Sequence, residues 1–153
     1  MAALLLILHL LSAVIWVGGM FFAYMCLRPV AATLLEPNMR LPLWCGVFKR
    51  FFPWVWLSVI ALVLSGHGMI AMFGGMAGVG KHVHIMMGLG YLMIGLYLHV
   101  YFALFGKLKR FVEAQSWSEA GAALNKMRMI IGINLMLGLF VIAVGSGGRY
   151  LFV

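Results

Sequence analysis

The sequence predicts an all-α integral membrane protein, a four-helix bundle running up, down, up and down, and three observations predict it. Apolar residues make up 65% of the 153 and charged residues 9%, with a mean hydropathy of +1.10, whereas soluble domains carry roughly 25% charged residues. Four stretches, about 2–27, 51–73, 83–105 and 129–145, approach or exceed the ~20 apolar residues that cross a bilayer. The basic residues are sorted by side. Arg28, Arg40, Lys49 and Arg50 fall between the first two stretches and Lys107, Lys109, Arg110, Lys126 and Arg128 between or bordering the last two, while Lys81 and Arg149 alone mark the other side. The positive-inside rule then places connections 28–50 and 106–128 in the cytoplasm and both termini on the outer, periplasmic side. Residues 1–153 form one transmembrane domain, expected in the bacterial inner membrane.

Each element has its own justification. The first stretch has no basic residue ahead of it, exceeds a signal-peptide core in length, and carries Trp16 and Met20 where cleavage would need small residues, so it reads as a retained span. Glu36-Pro37-Asn38 reads as a turn, and a helix begins near Pro42 and bends at Pro53. Phe51, Phe52, Trp54 and Trp56 are expected as an interfacial aromatic belt. Gly74 to Gly80 is short enough to pair spans two and three. Ser116-Trp117-Ser118-Glu119 matches a capping box, which predicts a cytoplasmic extension of span four. Glycines within the spans, Gly18, Gly19, Gly90, Gly132 and Gly138 among them, permit close helix packing.

Several function classes are disfavoured. The cations border hydrophobic spans and form no separate basic module, so anionic lipid is the expected partner and nucleic acid is not. Glu36, Glu113 and Glu119, the only carboxylates, lie outside the spans, leaving no buried acid to relay protons. There is no nucleophile–base pair, phosphate loop or Cys-x-x-Cys. Cys26 and Cys45 sit toward the reducing side and read as small hydrophobes.

Histidines carry what chemistry remains. His9 and His84 lie at similar depth from the outer end, at ~1.5 Å per helical residue; His67 and His82 lie nearer that end and His99 far deeper. At ~100° per residue, His84, Gly88, Tyr91, Gly95 and His99 share one arc of span three, as do His9, Ala13, Trp16 and Met20 on span one and Asn134, Gly138 and Gly145 on span four. Two chemistries suit paired imidazoles in an apolar bundle. A b-type haem takes two axial imidazoles between small-residue walls; His9 and His84 would be its ligands, Gly88 and Gly95 its wall, Trp16 a further cofactor contact, and Lys81 and Arg149 the partners of its propionates. Copper suits imidazole and thioether, with His9, His84, His67 and Met20, and the chain holds 13 methionines. The plainer readings are snorkelling for His67 and His82, an interhelical hydrogen bond for His99, and core filling for the methionines.

At this point the motifs resemble a known family. His9-x6-Trp16-Val17-Gly18-Gly19, continuing through Phe21-Phe22 to Leu27-Arg28-Pro29, is similar to the first helix of the copper-resistance D (CopD-like) membrane family. Phe51-Phe52-Pro53-Trp54, Val83-His84, Leu98-His99, Asn134-Leu135-x-Leu137-Gly138 and Gly148-Arg149-Tyr150 extend the likeness over most of the chain. The resemblance implies copper handling in the inner membrane. More distantly, the His-x6-Trp of span one looks like the HemJ-type protoporphyrinogen oxidases, four-helix proteins that bind haem b, although His82-x-His84 stands where that pattern has His-x-Lys.

Taken together, the leading expectation is a small cytochrome-like protein holding one haem b near the outer face through His9 and His84, for electron transfer or haem-dependent oxidation, with a redox partner or a second copy beside it. Its rival is copper transport or resistance through a His/Met site. A metal-free scaffold is the third reading.

Overall fold

Backbone hydrogen bonds that water cannot satisfy inside a bilayer must be met within the chain, and continuous helices do so. The computed structural model describes residues 1–151, and among them there is no strand. Four long apolar helices account for the fold: α1 (Ala2–Leu34), α2 (Pro37–Met72), α3 (Lys81–Glu113) and α4 (Trp117–Leu151). The protein is a multi-pass membrane protein, each helix carrying a window long and apolar enough to span.

The helices run well past the expected spans. At 1.5 Å per residue, the 36 residues of α2 reach about 54 Å, against a hydrocarbon core of about 30 Å. The surplus carries much of the basic charge, because α1 continues to Leu34, α2 begins at Pro37, and α3 and α4 are broken only between Glu113 and Trp117. Pro37 starts α2 where a missing N–H costs nothing, while Pro42 and Pro53 lie inside the helix without ending it. The start of α4 falls directly after Ser116, at the capping-box position.

Contacts set the order of the bundle. Leu5 meets Gly68, His9 meets Ser65 and Gly66, and Phe51 meets Gly19, so α1 and α2 pack along their length. Between α3 and α4, His82 meets Gly148, Met86 meets Gly145, and Met93 meets Gly138. Gly138 also receives Val17, and Gly132 receives Tyr24, which closes α1 onto α4. At Gly19, Gly138, Gly145 and Gly148 a methyl group would overlap a neighbouring side chain.

An aromatic core occupies the middle. The Phe52 ring stacks on Phe48 at 5.2 Å and meets Phe105 edge-on at 4.9 Å. Phe52 is therefore interior rather than part of an interfacial belt, while Trp54 stays exposed. Each of α1 and α3 also contains one wider π-helical stretch, Phe22–Leu27 and Val100–Phe105. At the basic end, Leu108, Ala120 and Met127 are fully buried, so the projecting helices keep a packed core of their own.

Candidate functional site

A cavity of about 400 Å³ opens between the helices at the end of the bundle that carries His9. His9 enters it from α1, His67 and Met69 from α2, and Met86, Met87 and Met93 from α3, with Trp16 beneath. Its wall on α4 includes Gly138 and Gly145, where Met93 and Met86 lean over the backbone.

Hydrogen bonds define both imidazoles. Ser65 Oγ donates to the Ala61 carbonyl at 2.5 Å. Its one proton is committed there, so the contact of 2.9 Å with His9 Nδ1 requires Nδ1 to donate. His9 Nε2 is left with a lone pair, the form in which histidine ligates metal. Ser65 itself is fully buried and holds the ring as an outer-shell partner holds a ligand. His67 Nδ1 donates to the Val63 carbonyl at 2.8 Å. Its Nε2 then accepts from the Tyr91 hydroxyl at 3.0 Å, so a metal at His67 would have to displace that hydroxyl.

Among the described residues no three of His, Cys, Asp and Glu gather as a metal-holding group. Two imidazoles and several thioethers do share one space, which is a soft donor set.

The arc expected on α3 points outward except at Tyr91, which stands at the open side of the cavity against His67. His84, Gly88, Tyr91, Gly95 and His99 are all exposed. A Cβ on Gly88 or Gly95 would meet nothing within 4 Å, and His84 Nδ1 donates to the Gly80 carbonyl at 3.2 Å on the exposed side. His84 and Gly88 line neither cavity of the bundle, and nor does Gly95. A haem held between His9 and His84 does not fit these residues, because its second imidazole and its small-residue wall face outward.

The other expected residues divide. Lys81 is exposed at the start of α3, and the Arg149 side chain lies outside the described residues. Met20 shares the inward face of α1 but lines a different, second cavity, so it does not join His9. Trp16 is 3% exposed and stands between the two cavities, edge-on to Tyr97 at 6.1 Å. His82 packs against Gly148, and His99 makes no hydrogen bond among the described residues in place of the interhelical one expected. Cys26 and Cys45 are free thiols.

Sequence reasoning missed Ser65, and a signal was present. Ser58 and Ser65 are seven residues apart, which returns a helix to nearly the same face, and both are buried. That pair marks the inward face of α2, and His67, about 200° around the helix from Ser65, projects away from it and is exposed at the cavity's open side.

Fold and cavity together define a helical membrane protein with four long apolar helices and an imidazole- and thioether-lined cleft. The chain belongs to the CopD family, described as Copper resistance protein D, whose model matches residues 45–147. The match covers most of α2 and nearly all of α3 and α4, and leaves His9 and Trp16 outside it. No curated protein and no solved structure matches the chain.

Proposed function

We propose that the protein handles copper within the membrane, taking the ion as cargo into the cavity at the His9 end. The carrying observation is that His9, His67, Met69, Met86, Met87 and Met93 line one space in a chain of this family. Thioethers select cuprous ion and imidazole accepts either oxidation state. His9 serves as the fixed nitrogen donor through its Ser65 bond, and His67 as a second donor that the Tyr91 hydroxyl releases. The space is larger than one ion needs, and it acts as a vestibule in which methionines exchange the ion. With the positive-inside rule, the basic end lies in the cytoplasm and this vestibule opens on the periplasmic side of the inner membrane, in an up-down-up-down bundle.

The test is titration of the purified protein in detergent with cuprous ion against a chromophoric chelator. One equivalent retained per chain, lost on His9→Ala, supports the reading. No retained copper, or a Soret band on haem addition that His84→Ala removes, would overturn it.

A further inference from the structure

The second cavity, about 250 Å³, contains a polar atom that the fold leaves without a partner. Asn134 on α4 is 4% exposed. Its Nδ2 donates to the Met93 carbonyl at 3.3 Å, while its Oδ1 is buried with no hydrogen bond. Reversing the amide would set two acceptors against each other, so the orphan is the oxygen. In a membrane interior no bulk water satisfies such an atom, and leaving it bare costs several kcal/mol.

Asn134 lines this cavity and not the copper vestibule. The remaining walls are almost wholly apolar and largely aromatic, with Phe48, Phe51 and Phe52 on α2 and Tyr97 on α3. Tyr97 already donates its hydroxyl to the Phe52 carbonyl at 3.2 Å. Trp16 also borders the cavity, and its indole N–H makes no hydrogen bond among the described residues. A water needs two to four polar partners, and an apolar cavity of about 150 Å³ already accepts a benzene ring. The space therefore suits a substituted ring better than a water pool.

Access comes from the lipid side. Phe22, which is 60% exposed, stands on the cavity wall together with Ala23 and Leu27, all within the π-helical stretch of α1. Val100, at the start of the matching stretch of α3, is on the wall as well. Such widened turns are frequent at functional sites.

We infer that this cavity binds a small lipid-soluble molecule whose aromatic ring carries a hydroxyl, the hydroxyl donating to Asn134 Oδ1 while the ring packs against the phenylalanines. The site is separate from the copper vestibule and stands whether or not copper is the cargo.

The experiment compares para-cresol with toluene, which differs by the hydroxyl alone. Affinities are measured calorimetrically on the full chain in nanodiscs, after subtracting partition into empty nanodiscs. Para-cresol is expected to bind at least about tenfold more tightly than toluene, the effect of satisfying a buried acceptor. In Asn134→Leu that preference falls to within about twofold, with toluene affinity retained. Ile131→Phe, which fills the cavity from α4, weakens both ligands together and serves if Asn134→Leu does not fold. Equal affinities in the wild type, a preference that survives Asn134→Leu, binding untouched by Ile131→Phe, or no binding of either probe would overturn the inference.

Discussion

The same periodicity picks out one arc on α1 and one on α3, and the two arcs end on opposite sides of the bundle wall. His9, Ala13, Trp16 and Met20 turn inward, with Trp16 and Met20 buried, whereas His84, Gly88, Gly95 and His99 turn outward. Rotation by about 100° per residue groups side chains correctly in both cases. What it does not supply is the direction of the arc. In a soluble helix the polar arc faces water, but lipid is as apolar as a membrane protein's core, so polarity no longer gives the sign. Glycine is equally ambiguous: Gly138 faces Val17 and Met93, and Gly88 faces open space.

Mutations can break that contrast, and the largest effect belongs to the imidazoles. His9→Ala should lower cuprous affinity by about a hundredfold, at or above what loss of an outer-shell partner costs. His84→Ala should change it less than about twofold, since His84 lines neither cavity. Chelator competition on the two variants side by side reads the difference, and equal losses would mean that α3 presents its other face in the working protein.

The glycines come next. Gly138→Leu should destabilise the protein by about 1–3 kcal/mol through overpacking against Val17 and Met93, while Gly88→Leu should stay within about 0.5 kcal/mol. Denaturation midpoints in detergent distinguish them. A reversed order would turn α3 around.

Ser65→Ala sharpens the account of His9 itself. Without an acceptor for Nδ1 the ring is free to turn, and copper affinity should fall about tenfold, the lower end for an outer-shell partner. Unchanged affinity would leave Ser65 a packing residue. The smallest effect is at His67. Tyr91→Phe removes the hydroxyl that occupies His67 Nε2 and should raise affinity by about twofold to fivefold, less than a full hydrogen bond is worth. A decrease would assign Tyr91 to the site.

Much of the fold was legible because composition and length leave few alternatives. Four apolar stretches and the sorting of basic residues fix the number of helices, and the capping pattern at Ser116 to Glu119 marks the start of α4. The extent of the helices was legible in part: helix from near Pro42 and the extension of span four were expected, whereas the start at Pro37 and the run of α1 to Leu34 were not. Pro37 and Pro42 suggest a broken connection and Pro53 a bend, yet α2 begins at Pro37 and runs through both later prolines, and packing around Leu108 and Met127 gives the projecting helices a core of their own. At the site, the shared faces of His9, Ala13, Trp16 and Met20 on α1 and of Asn134, Gly138 and Gly145 on α4 could be read as groupings. The His84 pairing could not, for the reason of sign above, and Met20 was on the right face at the wrong depth. About eleven residues separate it from His9, roughly 16 Å along the axis.

X-ray absorption at the copper edge of the loaded protein tests the central claim most directly. A first shell that combines sulfur with imidazole nitrogen from His9, and from His67 once Tyr91 releases it, is the predicted result. A shell of nitrogen or oxygen without sulfur would contradict it, since the methionines of the cavity would then take no part.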